Sequence, residues 1–471
     1  MKTQNWLLKQ AQTNPNHLAI DDGRDRLTFL QVQEKVTILA GKLAQTDAGD
    51  KVGLLALNSL DTYLLALAII CSGKTIVWLN WRLASEELFR QIDDSELKVC
   101  LVEDNLLRPE MDDRFIAFSD FQKIAGKDVE LVQEFDYDHV ASIMYTSGTT
   151  GLPKGVLQTF GNHFYSAVSS ALNLGLNEND EWLCVAPIFH ISGFSIIMRS
   201  LIYSMTVRLV AKFDAKKISQ ILSEEPVSIM SVVPFMLKKL LKIKQKTKTS
   251  YNSNFRFMLL GGGTTDKPTL KECENFSIPV VQCYGMTETC SQIIALKASD
   301  ALKKIGSVGQ PLFTTQLRLL DNGEILLKSP ALSPGYLNLP EKMAKKKLDG
   351  WYRTGDVGHL DKDGYLYIDG RIDEMMISGG ENIFPQEVEQ VYLRHPGIDE
   401  IAVVGKKNSE WGEVPVAFVV GDQSLKTEDL IHFGFEHLAH YKVPKEYIFV
   451  SELPTNASGK IKRYLLREKI N

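Results

Sequence analysis

Apolar positions along the chain alternate between two spacings. Over 28–44 (TFLQVQEKVTILAGKLA), Leu30, Val32, Val36, Leu39 and Leu43 fall on approximately one helical face. The run 51–56 (KVGLLA) that follows is short and continuously apolar, the pattern of a buried strand. The same reading predicts a helix over 59–70, a strand over 75–79, a helix over 85–95 and a strand over 97–102. Further strands are predicted at 182–185, 206–209, 228–233, 257–260 and 280–282. This rhythm predicts an α/β fold, a mostly parallel sheet covered by helices. After Gly309 the texture changes: 316–320, 324–328, 358–360 and 365–368 are short strands punctuated by Asn322-Gly323 and Asp363-Gly364 turns, giving a small β unit over about 309–370. Beyond it, a helix over 385–393, strands over 401–405 and 414–420 and a helix over 427–438 make an α+β tail. The expected domains are therefore 1–370 and 371–471.

Composition narrows the function classes. The chain has 471 residues, 44% hydrophobic and 24% charged, which excludes a disordered, collagen-like or coiled-coil protein. Lys and Arg total 53 against 58 Asp and Glu, a net charge of -5, so a general nucleic-acid binder is not expected. The six cysteines form no CxxC pair, which indicates neither a zinc site nor a disulfide framework and fits a reducing cytoplasm. The N-terminus lacks a secretory apolar region, and the run 64–71 is far short of the roughly 20 residues that span a bilayer, so no membrane insertion is expected. Nothing here fixes self-assembly, and a homo-oligomer stays open.

Five short stretches carry chemistry. In 143–155 (IMYTSGTTGLPKG) a hydrophobic strand runs into Thr146, Ser147, Gly148, Thr149, Thr150 and Gly151, then Pro153-Lys154-Gly155. Such a loop can turn N–H and O–H groups onto phosphate oxygens, with Lys154 to neutralise charge. It is not a Walker loop, because Pro153 stands where the second glycine belongs and Gly155 follows the lysine. In Tyr284-Gly285-Met286-Thr287-Glu288-Thr289 a hydroxyl and a carboxylate are adjacent, as a phosphate contact and a Mg²⁺ ligand require; a helix N-cap at Thr287 is the plainer alternative. Tyr352-Arg353-Thr354-Gly355-Asp356 offers an aspartate for ribose hydroxyls, or merely a turn. Gly370-Arg371-Ile372-Asp373 leads to Ser378-Gly379-Gly380-Glu381-Asn382, otherwise an interdomain linker. The last stretch, Asn456-Ala457-Ser458-Gly459-Lys460, would in isolation be a solvated lysine.

Taken together, in this order and at these separations, the five stretches resemble the adenylate-forming superfamily of acyl-CoA synthetases, luciferase-type enzymes and adenylation domains. The resemblance covers the whole chain. It implies a large N-terminal domain of two αβ subdomains and a small β-barrel, with a smaller, mobile α+β C-terminal domain. It also implies two-step chemistry at their junction: carboxylate and ATP give acyl-AMP and pyrophosphate, then a thiol displaces AMP. By that likeness residues 146–154 grip the β and γ phosphates, Thr287 touches the α-phosphate and Glu288 holds Mg²⁺. Asp356 takes the ribose with Arg371 assisting, while Gly261, Gly262, Gly263 and Tyr284 face adenine. Lys460 bridges the acid and the α-phosphate, Asp373 is the hinge, and Gly379 and Gly380 line the CoA tunnel.

Three segments, 158–176, 187–195 and 284–293, further resemble the 2-succinylbenzoate–CoA ligase subfamily of menaquinone synthesis. That acid keeps one carboxylate ionised while the other reacts, so its pocket should hold a cation besides Lys460. Arg199, in the otherwise apolar stretch 194–202, is the candidate, with a structural carboxylate partner as the alternative. His190 and Ser192 lie on the same turn, and Thr289 and Ser291 offer hydroxyls, or caps. A ligase for another aryl or medium-chain acid, a peptide-synthetase adenylation domain and a non-catalytic nucleotide-binding module are the competing readings.

Overall fold

The helix expected at 28–44 is Phe29–Leu43, started by a capping box in which Thr28 Oγ1 accepts from Gln31 N and Gln31 Oε1 accepts from Thr28 N. Its buried stripe runs through Phe29, Val32, Val36, Leu39 and Leu43, while Leu30 stays exposed. Phe29 thus takes the core position that spacing assigned to Leu30. The computed structural model describes residues 1–146, 153–263, 265–422, 424–455 and 461–470. The chain divides into two units: Met1–Ile305 with Gly309–Gln316 and Lys328–Gly350, and Gly306–Val308 with Leu317–Leu327 and Trp351–Asn471.

The first unit contains two large sheets. One orders its strands Lys154–Thr159, Val140–Thr146, Thr75–Leu79, Lys51–Leu55, Cys100–Val102 and Phe115–Ala117, all parallel except the first pair. Helix Ser85–Asp94 lays Leu88 and Ile92 on its Leu55, Val77 and Val102. The other includes, in order, Ser307–Pro311, Ser291–Leu296, Val280–Met286, Phe257–Leu260, Ile229–Val232, Glu181–Cys184, Thr206–Leu209, Leu18–Asp21 and Arg26–Thr28, parallel in the middle with antiparallel pairing on both sides. Ile218, Leu222, Leu237, Leu241 and Leu270, from three helices, cover its Met230 and Met258. Helix Leu60–Cys71 is apolar and buried on nearly every side, which places it inside the unit rather than on its surface. Among the described residues no helix is long and apolar enough to cross a membrane.

In the second unit, strands Gln316–Leu319, Glu324–Lys328, Trp351–Leu360 and Leu366–Arg371 lie side by side in that order. This corrects the barrel expected near 309–370: a barrel closes its first strand onto its last, and here Gln316–Leu319 ends an open path. A separate sheet, Glu381–Ile383, Met376–Ser378, Gly412–Gly421 and Ile398–Asn408, with Glu446–Phe449 beside Gly412–Gly421, is covered on both faces. Val388, Tyr392 and Leu430 pack on Val403 and Ala417, while Leu466 and Leu453 pack on Val404, Val416 and Phe418.

Helices Pro385–Tyr392 and Arg463–Glu468 are tied by charge: Arg463 Nη2 donates to both carboxylate oxygens of Glu389 at 2.7 Å, and Val403 N donates to Glu389 Oε1 at 2.7 Å. Burial raises the Glu389 pKa, with Arg463 opposing that shift. Arg463→Ala leaves this carboxylate buried without its cation and should cost about 3–5 kcal/mol, read as a lowered denaturant midpoint of the second unit. An unchanged midpoint would show that the pair carries no net stability.

Candidate functional site

Two paired strands of the first unit carry Thr146 and Lys154. Val140–Thr146 and Lys154–Thr159 pair antiparallel with Thr146 opposite Lys154, so the Ser/Thr/Gly run joins two adjacent strand ends. Ser147, Gly148, Thr149, Thr150 and Gly151 lie outside the described residues. Lys154 Nζ stands 5.6 Å from the centre of the Tyr336 ring, and Tyr336 Oη donates to Glu288 Oε1 at 2.8 Å. Lysine, tyrosine and carboxylate therefore converge at one place. Tyr336 is the residue that motif reasoning missed. It follows Ser333-Pro334-Gly335, a turn-forming run whose neighbours pair with the hairpin through Leu157 N to Gly335 O at 3.1 Å and Leu337 N to Gly155 O at 2.7 Å.

The turn carrying Thr287 and Glu288 is tightly determined. Strand Val280–Met286 ends in a single 3₁₀ turn, Thr287–Thr289, and the chain returns as Ser291–Leu296. A Cβ at Gly285 would meet Ser291 O at 2.1 Å, so only glycine permits this return. Cys290 and Ser291 both take positive φ, 53° and 103°. Thr289 Oγ1 accepts from Met286 N at 2.8 Å and lies 2.6 Å from Ser291 O. Thr289 is fully buried, and its hydroxyl is taken up inside the turn instead of being offered to an acyl substrate. Thr287 and Glu288 remain partly exposed. Glu288 suits magnesium, which usually takes one or two protein carboxylates and fills its other positions with water and phosphate oxygens. No group of three or more potential metal-binding side chains occurs among the described residues.

Gly261, Gly262 and Gly263 follow strand Phe257–Leu260 at its C-terminal end, beside the strand bearing Tyr284. Gly262 has φ 77°. This is the end of a parallel sheet at which ligands settle in open α/β folds.

Helix Ile191–Tyr203 begins at His190, whose ring lies 4.5 Å from that of Phe189, and leaves Ser192 exposed. Gly193 is required beneath this start, since a Cβ there would meet Pro187 O at 2.4 Å. Arg199, on the buried face, is 2% exposed. Its Nη2 donates to Ser291 Oγ at 3.1 Å and its guanidinium lies 5.2 Å from the Trp182 ring centre. Among the described residues its Nε has no hydrogen-bond partner and no carboxylate pairs with it. Burial, with the charge of Arg199 adding to it, pushes the nearby His163 imidazole down to about 3.

The second unit carries the remaining set. Asp356 faces Arg371 across an antiparallel pair and is 6% exposed. Arg371 Nη1 donates to Asp356 Oδ1 at 3.0 Å and its Nε to Asp373 Oδ1 at 3.0 Å. Burial opposes the Arg371 charge, but Asp356 and Asp373 outweigh it and hold its pKa above the usual range. Thr354 Oγ1 accepts from Asp356 N at 3.0 Å, fixing the carboxylate's backbone. Gly379 and Gly380, at φ 59° and 88°, form the tip between Met376–Ser378 and Glu381–Ile383. A Cβ on Gly379 would meet Trp411 at 2.9 Å, beside an open groove of about 700 Å³ lined by Met375, Ile377, Lys407 and Trp411. Lys460 lies outside the described residues.

Residues 7–337 match the family described as AMP-binding enzyme, and residues 387–460 match the AMP-binding enzyme C-terminal domain. The chain belongs to the AMP-binding enzyme family. A relative of this AMP-binding enzyme, the 2-succinylbenzoate–CoA ligase of Listeria monocytogenes, is 44% identical, with 99% of each chain covered. The o-succinylbenzoate CoA synthetase of Bacillus subtilis, solved with its acyl-adenylate intermediate, is 37% identical, with TM-score 0.94 and coverage of 99% of this chain and 98% of that one. The same Bacillus subtilis enzyme solved with ATP and magnesium ion gives 36% identity and TM-score 0.92 over the full length of both chains.

The depressed His163 pKa sets a pH dependence. The unfolded imidazole takes up a proton below about 6.5 while the folded one resists it until about 3, so this group removes stability as pH falls through that window. The slope from one such group is at most about 1.4 kcal/mol per pH unit. His163→Gln should flatten the fall in unfolding free energy between pH 6.5 and 5; equal slopes in both proteins would place the proton elsewhere.

Proposed function

We infer that the chain activates 2-succinylbenzoate with ATP and transfers it to CoA, a step of menaquinone biosynthesis. In the first half-reaction a carboxylate oxygen attacks the α-phosphorus, the bond to pyrophosphate breaks, and acyl-AMP forms. In the second, the CoA sulfur attacks the acyl carbon, AMP departs, and the thiol proton is released. Full-length likeness to 2-succinylbenzoate–CoA ligases supports the reaction. The observation that carries the choice of acid is Arg199, a buried guanidinium with a hydroxyl and an aromatic face as neighbours but no carboxylate partner among the described residues. Burying a charge unpaired is costly, so a second substrate carboxylate is its natural partner.

The residue roles follow the same chemistry. Attack on ATP brings anions together, so donors and cations around the phosphates supply most of the acceleration. Residues 146–151 and Lys154 hold the outer phosphates, and Thr287 contacts the α-phosphate. Glu288, oriented by Tyr336, takes Mg²⁺, which offsets phosphate charge when bound. Gly261, Gly262, Gly263 and Tyr284 accept adenine. Asp356, with Arg371 bonded to it, accepts the ribose hydroxyls. Arg199 and Ser291 anchor the ring carboxylate, with His190 and Ser192 at the start of the same helix. Asp373, bonded to Arg371, is the hinge of the C-terminal part, and Gly379 and Gly380 admit the thiol. Lys460 bridges the reacting carboxylate and the α-phosphate in the first half-reaction alone.

Lys460→Ala should therefore lower adenylation by on the order of 10²-fold or more, while thioester formation from preformed acyl-AMP persists. Equal losses in single-turnover measurements of the two halves would remove the lysine from this role.

Arg199→Ala should weaken the carboxylate contact by roughly 2–5 kcal/mol, seen in kcat/KM for 2-succinylbenzoate with ATP binding little changed. An analogue lacking the ring carboxylate should be a poor substrate for the parent and lose little more in the variant. A penalty equal for both acids would make Arg199 structural and move the carboxylate anchor elsewhere.

A further inference from the structure

The turn bearing Thr287 and Glu288 is gripped from behind by side chains that none of the assigned roles uses. Gln158 Nε2 donates to Thr287 O at 3.0 Å. Ser142 Oγ donates to Gln158 Oε1 at 2.8 Å and lies 3.0 Å from His163 Nε2. His163 Nδ1 lies 3.2 Å from Cys290 Sγ, and Cys290 N returns to Thr287 O at 3.2 Å. The chain of bonds closes into a ring around residues 287–290. Ser142, Gln158, His163 and Cys290 are each at most 2% exposed, so water does not compete for these bonds.

The ring admits one direction of donation. A carbonyl only accepts, so the Gln158 amide nitrogen faces Thr287 and its oxygen faces Ser142. Ser142 spends its single hydrogen on that oxygen and must accept from His163 Nε2–H. His163 Nδ1 is then the unprotonated nitrogen, and the Cys290 thiol donates to it. Every member has a partner and no step can be reversed alone.

The origin of the gripping groups gives the ring its use. Ser142 and Gln158 are cross-strand partners on Val140–Thr146 and Lys154–Thr159, the hairpin whose ends join the Ser/Thr/Gly run, and His163 is on the next helix, Phe160–Leu174. The hairpin that presents Thr146 and Lys154 therefore also holds the turn that presents Glu288. We propose that Gln158, Ser142, His163 and Cys290 are positioning residues that fix the Thr287–Glu288 turn against the phosphate hairpin, setting the enzyme's affinity for magnesium with ATP. The proposal rests on the assignment of Glu288 to Mg²⁺. Loss of such supporting bonds typically lowers metal affinity 10–100-fold.

The test compares Gln158→Met, Cys290→Ala, Cys290→Ser and Glu288→Gln in the full chain. One readout is hydrogen–deuterium exchange of the segment 284–293; the other is the Mg²⁺ concentration that half-saturates ATP binding in calorimetry. Gln158→Met and Cys290→Ala should speed exchange in this segment and raise the Mg²⁺ requirement by about 10-fold or more. Cys290→Ser keeps a donor for His163 Nδ1 and should recover most of both effects. Exchange unchanged in both Gln158→Met and Cys290→Ala would overturn the ring. Faster exchange with an unmoved Mg²⁺ requirement, where Glu288→Gln does move it, would overturn the positioning role. Should Glu288→Gln itself leave the requirement unmoved, the magnesium assignment fails, and with it the positioning role toward that metal, while the exchange result still decides the ring.

Discussion

The functional half of the first unit depends on one backbone return, the passage from Tyr284 to Ser291. It can occur only because Gly285 has no Cβ to strike Ser291 O, and it places two consecutive non-glycine residues, Cys290 and Ser291, at positive φ. Such conformations cost of order 1–3 kcal/mol each and persist only where surrounding bonds over-determine them. The surroundings do so here: Thr289 Oγ1 closes the turn internally, Ser166 Oγ donates to Cys290 O at 2.7 Å, and Ser333 N donates to Glu288 O at 2.8 Å. The strained segment delivers Glu288 to one side and Ser291 to the other. Ser291 is the hydroxyl that meets Arg199, so the residues proposed for phosphate and for the acid share a single turn.

Both units pair most of their sequestered arginines with carboxylates. In the second, Arg371 is bracketed by Asp356 and Asp373, and Arg463 by Glu389 and Glu374. In the first, Arg208 is 5% exposed and pairs with Asp21 and Glu225, whereas Arg199 and Lys244, 2% and 1% exposed, meet no carboxylate among the described residues. Lys244 is taken up by the Thr249 carbonyl and the Tyr251 ring, whereas Arg199 meets a side-chain hydroxyl and an aromatic face, the contrast behind the ligand carboxylate proposed for it.

The sequence spoke most clearly where periodicity or a short run decided the matter. Helix Phe29–Leu43 and strands Thr75–Leu79 and Phe257–Leu260 were legible because each buries a continuous face or run. Strand Trp351–Leu360 was read only as 358–360, since Arg353, Thr354 and Asp356 interrupt its apolar pattern; their polarity serves Glu324, Ile325 O and Arg371. The open sheet near 309–370 could not be told from a barrel, because closure is decided by which edges pair, not by strand composition. In the site, Glu288 and Arg199 announced themselves as charges in polar or apolar surroundings. Tyr336 and Gln158 did not, because their role is set by contacts with residues 48 and 129 positions away.

Thr289 explains why neighbouring hydroxyls in one motif cannot be assigned alike. A threonine side chain has one hydrogen to give, and this one lies fully buried against Met286 and Ser291 backbone groups. Turning it toward a substrate would strip the turn of the bonds that hold its positive-φ residues, and Glu288 would lose its placement with them. Thr287, one turn of backbone earlier, keeps its carbonyl in the fold through Cys290 N and Gln158 while its side chain stays partly exposed. The same short motif thus separates into a residue that builds the turn and residues that the turn presents.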